Sequence, residues 1–133
     1  MILVDTSTVI DLLKGENNPK VLLFNKILTS GTPFGISIFT YQEILQGCKE
    51  HEVKKIETYL SSQTIYTVQQ TPDFFGAAAT LYRKFRSKGI TIRSTIDVLI
   101  AMTAIRENLT VLHNDRDFDL MALHEPALKI LDN

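Results

Sequence analysis

The feature that most narrows the possible folds is an alternation along the chain: short apolar, β-branched runs keep giving way to longer segments whose apolar residues recur at helical spacing. Ile2-Leu3-Val4 leads into Thr6 and Ser7, which are expected to cap a helix carrying Val9, Ile10, Leu12 and Leu13 as far as Gly15. Asn18-Pro19 opens a second helix over Lys20 to Ser30, and Gly31-Thr32-Pro33 breaks the chain before a buried strand over Phe34 to Ile38. A helix through Tyr41, Glu43, Leu45 and Cys48 follows, stopped or bent near Gly47, then helical spacing from His51 to Leu60 and a β-branched run over Thr64 to Val68. Thr71-Pro72 starts a long helix that reaches Gly89. Ser94-Thr95-Ile96-Asp97 has the form of a capping box with Asp in place of Glu, ahead of Leu99, Ile100, Thr103 and Ala104. A strand over Leu109 to His113, a short helix over Arg116 to Leu123 and a last strand near Leu128 to Leu131 complete the pattern.

Strands separated by helices predict an α/β fold: a mostly parallel central sheet of about five short strands, flanked by helices on both faces. Sites in such sheets form beyond the carboxyl ends of the strands. Asp5 falls at the end of the first strand and Asp115 just past the one ending at His113. With 133 residues, no repeat and no linker-like stretch, a single domain over 1–133 is expected. The lone Cys48 excludes an internal disulfide and a cysteine-held zinc, and reads as a helical core residue. A formal net charge of −1 argues against a histone-like electrostatic footprint but leaves room for a local basic patch. No segment reaches the apolar length of a membrane span, and MILVDTST lacks the basic flank and cleavage region of a secretory signal, so a cytoplasmic protein is expected.

Four segments set carboxylates among apolar or small neighbours: VDTS at Asp5, YQEILQG at Glu43, STIDVLIA at Asp97 and HNDRDF at Asp115 and Asp117. Unpaired buried carboxylates are costly, and acids of like sign raise one another's pKa, so a shared cation is the simplest way to keep them ionised. Oxygen donors of this kind suit Mg²⁺ or Mn²⁺. Arg116 is the one basic residue inside these segments, which weakens an internal salt-bridge explanation.

Across almost its whole length the sequence resembles the PIN-domain ribonucleases, and the VapC toxins of toxin–antitoxin pairs in particular, through VDTSTVIDLLKG, YQEILQG, STIDVLIA and LHNDRDF in the family's order and approximate spacing. The resemblance implies a PIN-like sheet and an acidic pocket that holds one or two Mg²⁺ or Mn²⁺ ions and hydrolyses RNA. Carried over by motif, Asp5, Glu43, Asp97 and Asp115 are the core acids and metal ligands. Ser7 corresponds to the small hydroxyl that supports the site, and Asn114 supports the last motif. Family members carry the final acid either after the Asn or before the Phe; this chain has both, with Asp115 the first choice and Asp117 the second. The resemblance also implies self-pairing into a homodimer and a small VapB-like antitoxin as partner.

Each acid also has a structural reading. Asp5 can cap the first helix, Asp97 can favour a helix dipole, Glu43 can lie on a solvated face, and Asp115 can belong to a turn with Asn114. Asp11 and Asp119 fit solvent faces, and His51, His113 and His124 are scattered singly as surface or packing residues. Arg83, Lys84, Arg86, Lys88 and Arg93 form a basic stretch leading to Asp97; it is either a solvated face or an RNA contact, with Arg93 the best single candidate and Lys88 and Arg86 behind it. Phe74, Phe75, Ala77 to Ala79, Tyr82 and Phe85 read as core, with some of that surface available to a dimer. Two other functions compete: a haloacid-dehalogenase-like phosphatase with Asp5 as nucleophile, disfavoured by Ser7 where a second acid is usual, and a PIN-like module that binds RNA or a partner without cutting.

Overall fold

The computed structural model describes residues 1–132. Five strands, β1 (Ile2–Val4), β2 (Phe34–Ser37), β3 (Thr64–Tyr66), β4 (Thr110–Leu112) and β5 (Lys129–Ile130), form one sheet in the order β3-β2-β1-β4-β5, with every neighbouring pair parallel. Seven α-helices connect them among the described residues: α1 (Thr6–Leu13), α2 (Pro19–Ser30), α3 (Ile38–Gln46), α4 (Val53–Ser61), α5 (Pro72–Ser87), α6 (Thr95–Arg106) and α7 (Arg116–His124), with a 3-10 turn at Glu50–Glu52. The expected α/β class and strand number hold, and the sheet is wholly parallel.

Side-chain alternation along the central strands sends Leu3 and Val111 to one face and Val4 and Leu112 to the other, all four without solvent contact. On the first face they meet Phe74, Leu81 and Phe85 of α5, Ile100 and Ala104 of α6, and Phe118 and Met121 of α7. On the second they meet Val9 of α1, Phe24 and Ile27 of α2, Ile44 of α3 and Leu60 of α4. The first half of the chain therefore winds outward from β1 over one face, and the second half returns across the other face to place β4 beside β1. Strand order reverses between these two strands, and loops leaving their carboxyl ends diverge around a crevice.

Gly35 is required by close approach in β2. A Cβ there would lie 2.5 Å from Tyr66 Cε2 and 2.9 Å from the Thr64 carbonyl on the adjoining strand. Gly35→Ala is expected to destabilise the fold by roughly 1–3 kcal/mol, seen as a lower urea midpoint with an unchanged slope; an unmoved midpoint would contradict this pairing of β2 with β3.

Three local expectations are corrected. Asp5, in extended conformation, caps α1 in place of Thr6 or Ser7 by accepting from the Ser7 N–H. Cys48 lies beyond the end of α3, half-buried, with its thiol against the Ile44 carbonyl, because Gly47 closes the helix one residue earlier. The Ser94 half of the box forms through the Ile96 N–H, whereas the Asp97 carboxyl joins an acidic group at the crevice.

Candidate active site

The topology brings the separated acids to one end of the sheet. Asp5 is the first residue after β1, Asp115 caps α7 three residues after β4, Asp117 lies in the first turn of α7, and Asp97 lies in the first turn of α6. Carboxylate oxygens of Asp97, Asp115 and Asp117 lie within 4.8 Å of one another. Asp5 and Glu43 stand outside that tight group, yet their negative charges reach Asp97.

Asp5 is 2% exposed. Its Oδ2 accepts from the Ser7 N–H at 3.0 Å and the Ser7 Oγ–H at 2.6 Å. Its Oδ1 is buried with no hydrogen-bond partner among the described residues. Burial, aided by the charge of Glu43, pushes the carboxyl up to about 6 even though the Ser7 bonds favour the ionised form. Asp97, half-buried and in none of the ion pairs among the described residues, is pushed up to about 7 by burial and then by Asp5, Asp115, Glu43 and Asp117.

Supporting polar side chains fix the acids in place. Thr6 Oγ1 donates to Glu43 Oε1 at 2.6 Å and lies 3.0 Å from Thr40 Oγ1, which is itself 3.2 Å from Ser37 Oγ; β2 and α3 are thereby joined to α1. Ser7 Oγ also accepts the Asn114 backbone N–H at 2.8 Å, tying the loop after β4 to Asp5. The Asn114 side-chain amide donates to Asp11 Oδ2 at 2.8 Å and to Asn18 Oδ1 at 2.7 Å. Buried His113 accepts the Asp115 N–H at Nδ1 (3.1 Å), which makes Nε2 the donor to Asp119 Oδ1 (3.1 Å), and its ring lies tilted on Phe118.

Arg93 changes the electrostatic picture drawn from sequence. Although outside the four segments, it supplies the internal ion pair: Nη2 lies 3.0 Å from Asp115 Oδ1, and Nε lies 3.2 Å from Asp117 Oδ2. The bond to Asp117, and then the charges of Asp117 and Asp115, hold the guanidinium above its usual range. Asp117 is buried, so its pairing limits the cost of burying a charge. Arg86 and Lys88 are exposed at the far end of α5; Arg86 lies over the Tyr82 ring, and neither pairs with the acids.

Asp11 is the residue that sequence reasoning misplaced. It is half-buried and accepts from Asn114 and Asn18, whereas a solvent face was expected. Its spacing of four residues from Ser7, which puts both on one helix face, was the available signal. Thr6 and Thr40 were missed as well, because threonines in the first turn of a helix look like ordinary capping residues. Phe74 and Phe85 are core, while Phe75 is 41% exposed beside Ala79, Tyr82 and Leu99 in an open apolar groove between α5 and α6.

The donor set fits a divalent cation. It consists of oxygen atoms alone, concentrates several negative charges, and includes a buried Asp5 oxygen that no donor among the described residues satisfies. Among the described residues, all hydrogen bonds to Asp115 and Asp117 end on one oxygen of each, Oδ1 and Oδ2 respectively. No helix among the described residues is long and apolar enough to cross a membrane.

A parallel sheet with acids gathered at its central switch point is the arrangement of a PIN domain, and the PIN domain family matches residues 2–123; the chain belongs to that family. Within it, the chain is 31% identical over 124 residues to ribonuclease VapC11 of Mycobacterium tuberculosis, covering 92% of each chain, and 33% identical over 105 residues to ribonuclease VapC19 of the same organism, covering 79% of this chain and 81% of that one. Among solved structures, the fold is similar to DNA-bound VapBC from Salmonella typhimurium (TM-score 0.74, 20% identity, 98% of this chain and 96% of that chain) and to VapBC2 from Rickettsia felis bound to a promoter DNA fragment (TM-score 0.73, 21% identity, 98% of both).

Proposed function

We propose that this chain, as a single domain over 1–133, is a divalent-metal-dependent endoribonuclease, the toxin of a VapBC-type toxin–antitoxin pair that cuts structured RNA such as tRNA or rRNA. The observation that carries this reading is the convergence of five acids from four separate segments beside β1 and β4, with Asp5 pushed toward neutrality by burial and the charge of Glu43, and Asp97 by burial and the charges of the other four acids. The names of the VapC relatives support RNA as substrate.

Asp5, Asp97 and Asp115 would hold the ion, with Glu43 and Asp117 completing the acidic surround. Mg²⁺ or Mn²⁺ suits these hard oxygen donors. When bound, such an ion supplies Lewis acidity at the phosphodiester and lowers the pKa of an attacking water. The chain's own contribution is positional. Ser7 fixes one Asp5 oxygen and leaves the other free, Thr6 orients Glu43, Asn114 ties the β4 loop to Ser7, and the first turn of α6 presents Asp97. Arg93 stands beside the acids where RNA phosphate would approach, with Lys88 and Arg86 as more distant contacts.

The buried Asp5, already bonded to Ser7, is poorly placed as a phosphatase nucleophile that must meet substrate directly. Retention of every acid at the crevice weighs against a non-catalytic binding module. The VapBC complexes among the fold neighbours support an antitoxin partner, while self-pairing and a cytoplasmic setting rest on the resemblance to VapC proteins.

Purified protein incubated with labelled tRNA, rRNA fragments and single-stranded RNA is expected to cut at least one of them in Mg²⁺ or Mn²⁺ and none in EDTA. Cleavage that survives EDTA would remove the metal-dependent mechanism. Metal binding without cleavage of any RNA would favour the binding-module reading.

A further inference from the structure

His113 is buried beside the site and has no part in the chemistry proposed above. It follows β4 directly and is 2% exposed. Both ring nitrogens are engaged at the start of α7: Nδ1 accepts the Asp115 backbone N–H at 3.1 Å, and Nε2 lies 3.1 Å from Asp119 Oδ1. An N–H donor facing Nδ1 leaves the ring proton on Nε2, the nitrogen that faces the carboxylate. The ring also lies against Phe118, with centroids 5.1 Å apart and planes at 32°, and Phe118 has no solvent contact. Three contacts thus hold the imidazole in one orientation and one tautomer.

That orientation fixes the backbone of Asp115. Among the described residues, no other acceptor meets the Asp115 N–H. Asp115 in turn begins α7, its Oδ1 accepting the Asp117 N–H at 3.0 Å and its carbonyl the Phe118 N–H at 3.1 Å. The first turn of α7 therefore starts from a position that one imidazole nitrogen sets. Asp115 and Asp117 are two of the three carboxylates that lie within 4.8 Å of one another. A packing residue would contribute only the shape of its ring, whereas here a single acceptor atom governs how two of the clustered acids are placed.

We propose that His113 is a positioning residue for the acidic centre: its Nδ1, oriented by Asp119 and Phe118, holds the Asp115 backbone so that Asp115 and Asp117 are presented together to a divalent cation. This rests on the metal-centre reading above.

Two substitutions separate the atoms of the ring. In His113→Asn, Oδ1 can take the place of Nδ1 and accept the Asp115 N–H; in His113→Gln, the amide reaches the place of Nε2 and leaves that N–H without an acceptor. Mn²⁺ affinity of the folded variants, measured by electron paramagnetic resonance at pH 8, is expected to fall by about 10-fold or more in His113→Gln and by less than about 3-fold in His113→Asn. Loss of the ring from Phe118 is common to both, so packing alone predicts no such split. A loss in His113→Asn as large as that in His113→Gln, or a folded His113→Gln that binds Mn²⁺ like the wild type, would overturn the role of His113 while leaving the metal centre intact. If either variant fails to fold, nuclear magnetic resonance of the wild type carries the test. A scalar coupling across the hydrogen bond from the Asp115 amide to His113 Nδ1, with the ring proton on Nε2, is expected both without metal and at saturating Mg²⁺. A proton on Nδ1, or loss of the coupling when Mg²⁺ binds, would overturn the proposal. No Mn²⁺ bound to the wild type would overturn both the proposal and the metal-centre reading.

Discussion

Asp97→Asn is expected to lower RNA cleavage by at least about 100-fold while leaving the protein folded. Loss of a residue that merely orients a metal ligand costs about 10–100-fold, so loss of a direct ligand should cost more. The substitution keeps the shape of the side chain and removes the charge that Asp5, Asp115, Glu43 and Asp117 all oppose. Metal-free Asp97→Asn should therefore melt no lower than the wild type at pH 8, and higher by a few degrees if that repulsion is as large as its raised pKa indicates. A paired measurement of cleavage rate and melting temperature separates this from simple unfolding. Full activity in a folded variant would remove Asp97 from the site.

The metal-free protein should lose stability as pH rises from about 4 to 8, and divalent metal should restore it. Asp5 and Asp97 have ordinary values of 3.8 that folding raises to about 6 and about 7. Between those limits the folded chain binds more protons than the unfolded one, so stability falls with increasing pH. The contribution is fully present below about pH 4 and is lost as pH passes through 6 and 7. Together the two acids should account for roughly 2–5 kcal/mol, with the Asp97 share reduced by its contact with solvent. A cation binding the ionised acids reverses the trend, so the gain in melting temperature on adding Mg²⁺ should be largest near pH 8 and small near pH 5. His113, which burial holds below its usual range, adds an opposite slope: it loses stability as pH falls below its ordinary value. A metal-free stability curve that rises from pH 5 to 8 would show that the paired and buried acids are ionised at less cost than their surroundings imply.

Much of the fold was legible because its signals are local. Asn18-Pro19, Thr71-Pro72 and Ser94 each begin the helix that their capping chemistry predicts, and the short apolar runs became the five strands. Strand order was not legible, because no periodicity records that β4 returns beside β1. The acids themselves were visible as charges in apolar surroundings and as motifs. Their partners were less so. Arg93 lies 22 residues from Asp115 and 24 from Asp117, and reads in the sequence as the end of a basic run. Asp11 reads as a solvent residue until the loop after β4 delivers Asn114 to it. Interactions of this kind depend on which loops the sheet brings together, so they emerge only with the topology. They also show how the two final acids differ: Asp117 is buried and accepts both the Nε–H and the backbone N–H of Arg93, whereas Asp115 is partly exposed and accepts from Arg93 Nη2 and the Asp117 N–H.

The central claim is that the acids beside β1 and β4 form a divalent-metal centre. Anomalous diffraction from crystals grown with Mn²⁺, collected above and below the manganese edge, tests it most directly. The expected result is a peak within coordination distance of the Asp97 and Asp5 carboxylates that disappears in Asp97→Asn. A protein saturated with Mn²⁺ that shows no peak there, or shows it elsewhere on the chain, would contradict the account.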